Sequence, residues 1–255
     1  MKKAELKAFL DAKAAHYEQP AFLTQDPIQI PHRFELKEDI EIAGFLTAII
    51  AWGNRLSILK SGTRLMELMD NAPHDFIVNH TASDREGLEG FVHRTFNAED
   101  ARYFMQALQL IYRDHGGLET VLTNFYKQTN DLQLALSRFK ALFFSFDPPE
   151  RSMKHLSDPQ KGSAAKRLNM YLRWMVRPAT RQVDFGIWKE IPTAALSCPL
   201  DVHSGRVARS LGLLKRKQND AKAVQELDKA LRKLDPTDPV KYDFALFSLG
   251  VDEKF

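Results

Sequence analysis

Apolar residues recur every three to four positions through most of this chain, and runs that alternate apolar with polar are scarce. That spacing gathers apolar side chains on one face of a helix and cannot line one face of a strand. The expected class is all-α. The clearest segments are Ile40 to Trp52, Ile58 to Met69, Ala101 to Tyr112, Leu118 to Tyr126, Leu132 to Phe144, Ala164 to Val176, Val202 to Leu211 and Ala221 to Leu234. Their boundaries carry helix punctuation: Asp39 as N-cap of the first, Asn97-Ala98-Glu99-Asp100 before the third, Gly116-Gly117 after it, Asp147-Pro148-Pro149 after the fifth. Neither a repeat of solenoid period nor a low-complexity segment is present. The irregular stretches are Thr24 to Lys37, Ser145 to Ser163 and Pro178 to Pro199, and the last two flank the segment that carries Lys166.

With 255 residues, of which 44% are hydrophobic, the chain can bury a full core without staples. Its one cysteine, Cys198, excludes an internal disulfide, a four-cysteine zinc site and a cysteine-ligated iron–sulfur cluster held by this chain alone. The eight histidines show no paired-ligand spacing, so neither a metal nor another cofactor is expected. There is no apolar run of transmembrane length, and Met1-Lys2-Lys3-Ala4-Glu5-Leu6-Lys7 is charged where a signal peptide would be apolar. A cytoplasmic protein with no membrane partner is expected.

The net charge of +3 hides a segregation. Residues 151 to 217 hold fourteen Lys and Arg against four acids, while the rest of the chain holds 22 bases and 29 acids. A face that concentrates cations can displace counterions from a polyanion, so nucleic acid is the leading partner class. The plainer reading is a set of solvated helix faces.

Two stretches inside that basic segment can carry chemistry. In Gly162-Ser163-Ala164-Ala165-Lys166, a glycine able to adopt positive φ leads into a helix whose first amides can hold a phosphate oxygen; otherwise this is a helix start with a solvated lysine. In Pro199-Leu200-Asp201-Val202-His203-Ser204-Gly205-Arg206-Val207, Asp201 stands where an N-cap belongs, with Val202, Val207 and Leu211 able to share an apolar face and Gly212 to end the helix. Capping holds an aspartate ionised in fixed geometry beside a helix dipole, so it does not exclude a chemical role. Arg206 and Arg209 on the same helix can meet phosphate or pair with acids.

Together these stretches resemble the helix-hairpin-helix DNA glycosylase superfamily, in which a hairpin L-P-G-V-G-x-K precedes a segment V-D-T-H-x-x-R-V. Here the hairpin Gln160-Lys161-Gly162-Ser163-Ala164-Ala165-Lys166 keeps the first glycine and the lysine, and Leu200-Asp201-Val202-His203 with Arg206-Val207 matches better. The separation of 35 positions from Lys166 to Asp201 is similar to the spacing in archaeal 8-oxoguanine glycosylases, which also have a degenerate hairpin. Phe45-Leu46-Thr47-Ala48-Ile49-Ile50-Ala51-Trp52-Gly53-Asn54 looks like the superfamily helix leading into the base pocket, and Asp243-Phe244-Ala245-Leu246-Phe247-Ser248-Leu249-Gly250 like its closing D-x-A-L-x-x-x-G. The chain also looks like a bacterial family catalogued as a domain of unknown function, typified by D-x-E-I-x-G-F, K-R-L-N-M-x-L-R-W-M-V-R and P-L-D-x-H.

The resemblance implies a two-lobed helical DNA-glycosylase-like fold with a degenerate helix-hairpin-helix. Residues 40–178 would form a central lobe, and 1–39 with 179–255 the second. It implies that Lys166 attacks the sugar of a flipped damaged nucleotide, Asp201 stabilises the charge that develops there, and abasic-site lyase activity follows from the Schiff base. Nucleophilic attack needs a neutral amine, which desolvation or neighbouring cations such as Arg167 or Arg206 would favour. Lys161, Gly162, Ser163, Arg167, His203, Arg206 and Arg209 would contact DNA, and Trp52, Asn54 and Arg55 would line the base pocket. The alternative is a non-catalytic nucleic-acid binder on the same scaffold. Trp174 is read as core in preference to a stacking platform, and Asp39 with Glu41 as a cap and first-turn acid in preference to a hydrolytic pair.

Overall fold

In a computed structural model, residues 2–253 and 255 are described. The α-helices are α1 (Lys3–Tyr17), α2 (Lys37–Ile50), α3 (Arg55–Glu67), α4 (Pro73–Asn79), α5 (Ala82–Glu86), α6 (Ala98–Asp114), α7 (Gly117–Thr129), α8 (Leu132–Phe143), α9 (Lys166–Val176), α10 (Val202–Ser210), α11 (Ala221–Leu234) and α12 (Tyr242–Val251). One antiparallel hairpin, β1 (Val92–His93) with β2 (Phe96–Asn97), pairs Val92 with Asn97 and His93 with Phe96. The fold is all-α. No helix among the described residues is long and apolar enough to cross a membrane.

The chain divides into two units. One takes the chain up to Thr24, Asp131–Gln133 and everything from Asp158 onward; the other takes Gln25–Asn130 and Leu134–Ser157.

In the first unit, α11 shows how sequence makes the core. Ala223, Val224, Leu227, Leu231 and Leu234 share one stripe and are buried, joining Leu10 and Ala14 of α1, Val207 and Ala208 of α10 and Ala245, Leu246 and Leu249 of α12. Gly250 lets α10 and α12 close, because a Cβ there would lie 3.0 Å from the Cβ and carbonyl oxygen of His203. In α9 every residue from Leu168 to Val176 is buried, Trp174 among them, whose Nε1 finds no partner among the described residues. Trp174 is therefore core.

The second unit is built around α2, buried without interruption from Ile40 to Ile50, a run in which only Glu41 and Thr47 are polar. Phe45 meets Phe104 at 6.3 Å, Phe139 at 5.8 Å and Phe143 at 5.7 Å, an aromatic core drawn from α2, α6 and α8. Asn97 caps α6 in a reciprocal box with Asp100, whose buried carboxylate also accepts from Ser152 Oγ at 2.7 Å.

Local details depart from the sequence reading. The helix expected from Ile40 begins at Lys37, so Asp39 lies inside its first turn and accepts the His74 amide at 2.7 Å instead of capping. Glu41 is buried and accepts from Tyr112 Oη at 2.8 Å. α4 and α5 were too short to leave a periodic signal. The helix expected from Ala164 starts at Lys166, because Ala165 has φ +45°. Val202 is 74% exposed and does not share the face of Val207, since five positions at 3.6 residues per turn set the two side chains roughly 140° apart around the helix.

Candidate active site around Lys166 and Asp201

The turn that presents Lys166 is fastened by its own backbone. Asp158 caps the 3-10 turn Pro159–Lys161 through Gln160 N at 3.0 Å, and Gly162 closes it with φ +89°. Nothing lies within 4 Å of a Cβ built on Gly162, so conformation and not space requires glycine there. Ser163 bridges Asp220 in antiparallel fashion, Gly162 O accepts from Ala221 N at 3.0 Å, and Ser163 Oγ accepts from Ala165 N at 3.1 Å. The amides of Gly162 and Ser163 bond Pro159 O and Asp158 O. Most of the turn's amides are thus engaged internally, and no side chain caps α9. Lys166 is half-buried at the first position of that helix. Its Nζ lies 3.8 Å from Met170 Sδ, and it forms no ion pair with a described residue.

Asp201 is the N-cap of α10. Its Oδ1 accepts from His203 N at 2.8 Å, Ser204 N at 2.9 Å and Ser204 Oγ at 3.2 Å, while its own amide donates to Ser204 Oγ at 2.9 Å. Asn219 Nδ2 clamps the Asp201 carbonyl at 2.8 Å. Gly205 makes room for that clamp, since a Cβ there would lie 2.7 Å from Asn219 Oδ1. All carboxylate bonds fall on Oδ1, which leaves Oδ2 without a partner among the described residues. The capping reading holds, and it leaves one oxygen available.

Behind these two stands Asp243, buried at the start of α12, with Oδ2 2.5 Å from Arg173 Nη1 and Cys198 Sγ 3.8 Å from Oδ1. Burial pushes its carboxyl up to about 6 against the pull of Arg173; the negative charge of Asp201 adds to the rise and the positive charge of Lys166 opposes it. Lys166 and Asp201 therefore both lie within electrostatic reach of one buried carboxylate. The Cys198 thiol is pushed far up by burial and by Asp243, Asp228 and Asp201, which makes it inert as a nucleophile. The sequence reading met Asp243 only as a motif match. The missed signal was an aspartate opening an otherwise apolar helix, answered by an arginine inside another.

The remaining residues expected at the site are distributed as follows. Lys161 and Gly162 are exposed and Ser163 half-buried. Loss of surrounding water pulls Arg167 down to about 10. His203 is exposed, 6.4 Å edge-on from Phe247. Arg206 donates to Gly250 O at 2.7 Å, and Arg209 to Arg216 O at 2.8 Å and Asn219 Oδ1 at 2.6 Å, so both brace backbone or amide partners and neither pairs with an acid among the described residues. Trp52, Asn54 and Arg55 belong to the second unit. There Asn54 caps α3, accepting from Leu56 N at 2.9 Å, and Trp52 meets His93 edge-on at 5.1 Å.

The basic segment is less cationic than its composition. Arg151 pairs with Glu99 and Asp100, Arg173 with Asp184 and Asp243, Arg177 with Glu18, Asp184 and Asp238, Arg181 with Glu18, and Arg216 with Asp220. Several of those acids lie outside residues 151–217, which the local count could not include. The exposed cations left without an ion pair among the described residues include Lys161, Lys215 and Lys217.

No curated protein and no solved structure matches the chain significantly. The family described as "Protein of unknown function (DUF2400)" matches residues 26–252, most of the chain. The chain belongs to that DUF2400 family.

Proposed function

We propose that this protein is a DNA-repair glycosylase with abasic-site lyase activity, in which Lys166 is the nucleophile and Asp201 the charge-stabilising carboxylate. The observation that carries the reading is that both groups lie within electrostatic reach of the buried Asp243, while among the described residues Lys166 Nζ meets only Met170 Sδ and Asp201 Oδ2 has no partner. An amine that forms no ion pair with a described residue has none to break before it attacks.

The neutral amine would form a bond to the anomeric carbon as the bond to the base breaks, the base leaving with the electron pair and then taking a proton. Loss of a proton from nitrogen and opening of the sugar ring give a Schiff base, from which the 3′ phosphate can be eliminated. Asp201 would face the positive charge that develops on the sugar. The resemblance in Leu200-Asp201-Val202-His203 and Arg206-Val207 supports the same assignment.

The test is covalent trapping. Borohydride should reduce the Schiff base and leave a protein–DNA adduct on an oligonucleotide with an abasic site or an oxidised base. Lys166→Gln should abolish the adduct while binding persists. Asp201→Asn keeps an oxygen for the cap and removes the charge, so loss of excision with retained folding supports chemistry at this carboxylate. If folded wild-type protein gives neither adduct nor base release across a panel of damaged bases, the glycosylase reading fails. The second reading is a non-catalytic nucleic-acid binder on the same scaffold, favoured by the hairpin's loss of the motif's leucine, proline and second glycine, and that outcome with DNA binding retained would select it.

A further inference from the structure

The second unit holds a cleft of about 490 Å³ between the face of α3 and the β1–β2 hairpin, within the size range of ligand sites. Lys60, Arg64 and Arg94 bring three positive charges to its wall, with Ser57 beside them. Its one acid, Glu89, is 2.6 Å from Arg102. Lys60 and Arg94 are exposed and make no ion pair with a described residue, while Arg64 has only a surface contact to Glu67 at 3.3 Å. Surface contacts of that kind hold a side chain weakly.

The backbone is arranged to place Arg94 there. Arg94 sits at the hairpin turn with φ +56°, a left-handed conformation that a side chain with a Cβ adopts at a cost. Its guanidinium lies across Gly53, where a Cβ would be 2.8 Å from Nη1, and Gly53 itself has φ +100°. Buried His93 fixes the floor: Nε2 lies 3.2 Å from Trp52 O and Nδ1 2.9 Å from Ser61 Oγ. In the neutral ring Nε2 donates and Nδ1 accepts. Like charges gathered in one cleft repel until an anion enters.

We propose that this cleft is a phosphate-ester site, with Lys60, Arg64 and Arg94 holding the phosphate oxygens and Ser57 donating a further hydrogen bond. The guanidinium fork and the ammonium point charge are the two donor types that suit tetrahedral phosphate. A cleft of this volume takes more than the phosphate alone, so the ligand is an ester carrying an organic group. A free nucleotide and one unit of a nucleic-acid strand offer the same chemistry.

Lys166 and Asp201 belong to the other unit, and the test reads binding without passing through them. The full chain is titrated with thymidine monophosphate, thymidine and single-stranded dT8, by calorimetry and by tryptophan fluorescence. Trp52 is half-exposed and bonded through its carbonyl to His93, whereas Trp174 and Trp188 are buried, so Trp52 reports on the cleft. Thymidine monophosphate should bind and thymidine should not. The double variant Lys60→Gln/Arg94→Gln should weaken phosphate binding tenfold or more with an unchanged circular dichroism spectrum, and Arg94→Lys alone should lose less. Lys222→Gln/Lys229→Gln removes the same charge from the other unit and should change nothing. Binding of the mononucleotide without dT8 assigns the cleft to a free ligand, and cleft-dependent binding of dT8 assigns it to a strand. Absence of binding by both probes, equal binding of thymidine, or equal weakening by the two double variants would overturn the proposal.

Discussion

Arg173 Nη1 lies 2.5 Å from Asp243 Oδ2 with both side chains buried, which ties the helix that begins at Lys166 to α12. The same guanidinium reaches Asp184 through Nε at 3.2 Å, and one turn later Arg177 meets Asp184 at 2.5 Å, Glu18 at 2.7 Å and Asp238 at 2.9 Å. The ring of Phe244 lies against both guanidinium groups, at 4.3 and 5.4 Å. Removing one partner of such a network leaves uncompensated buried charge. Arg173→Met should therefore cost about 3–5 kcal/mol. Arg173→Lys should recover only part of it, because an ammonium lacks the fork that serves two carboxylates. Urea unfolding measures both, and a loss below about 1 kcal/mol for Arg173→Met would refute the structural weight given to the network.

Asp228 makes stability depend on pH in an unusual direction. Burial pushes its carboxyl up to about 6, although Oδ1 accepts the Cys198 amide at 2.9 Å and Arg232 stands 3.7 Å from Oδ2. The native state then holds this proton more tightly than the unfolded chain does. Its contribution to stability is complete below the ordinary aspartate range and is lost as pH rises through about 6. Asp228→Asn keeps an acceptor for Cys198 and carries no charge. Relative to wild type it should gain on the order of 3 kcal/mol between pH 4 and pH 7.5. A difference in unfolding free energy that does not change with pH would contradict this account.

Two glycines with positive φ should respond differently to alanine. Gly186 has φ +57°, and a Cβ there would lie 2.7 Å from Arg177 O and 2.8 Å from Pro178 Cα, backbone atoms that cannot rotate away. Gly162 has φ +89° and open space. Gly162→Ala should cost about 1–2 kcal/mol from conformation alone, and Gly186→Ala distinctly more. Thermal unfolding compares them, and equal losses would show that the contact at Gly186 relaxes.

The proposed DNA contact makes a numerical statement about salt. Lys161, Lys215 and Lys217 are exposed and outside any ion pair among the described residues. Arg206, which braces Gly250 O, is a poorer probe because its loss also loosens α10 against α12. If the three lysines meet phosphate, changing all of them to Gln should reduce the slope of log K against log salt by about 2–3 on duplex DNA. An unchanged slope with an intact fold would move the DNA face elsewhere.

What the sequence determined by itself is local. The stripe of Ala223, Val224, Leu227, Leu231 and Leu234 declares α11, and Asp201 and Asn97 declare helix starts, because helix periodicity and capping are settled within a few residues. Gly162 was legible as a turn residue for the same reason. The tertiary structure decided what depends on residues far apart in the chain. Arg173 and Arg177 look like surface cations in a basic segment until Asp243, Asp238 and Glu18 are brought to them across 70, 61 and 159 positions. Val202 stands exposed, because its five-residue offset from Val207 puts it off the buried face of α10, which Ser204, Gly205, Val207 and Ala208 form. The cleft beneath Arg94 had no sequence signature, because it joins one face of α3 to a hairpin turn about thirty residues later through a left-handed backbone that no residue type there announces.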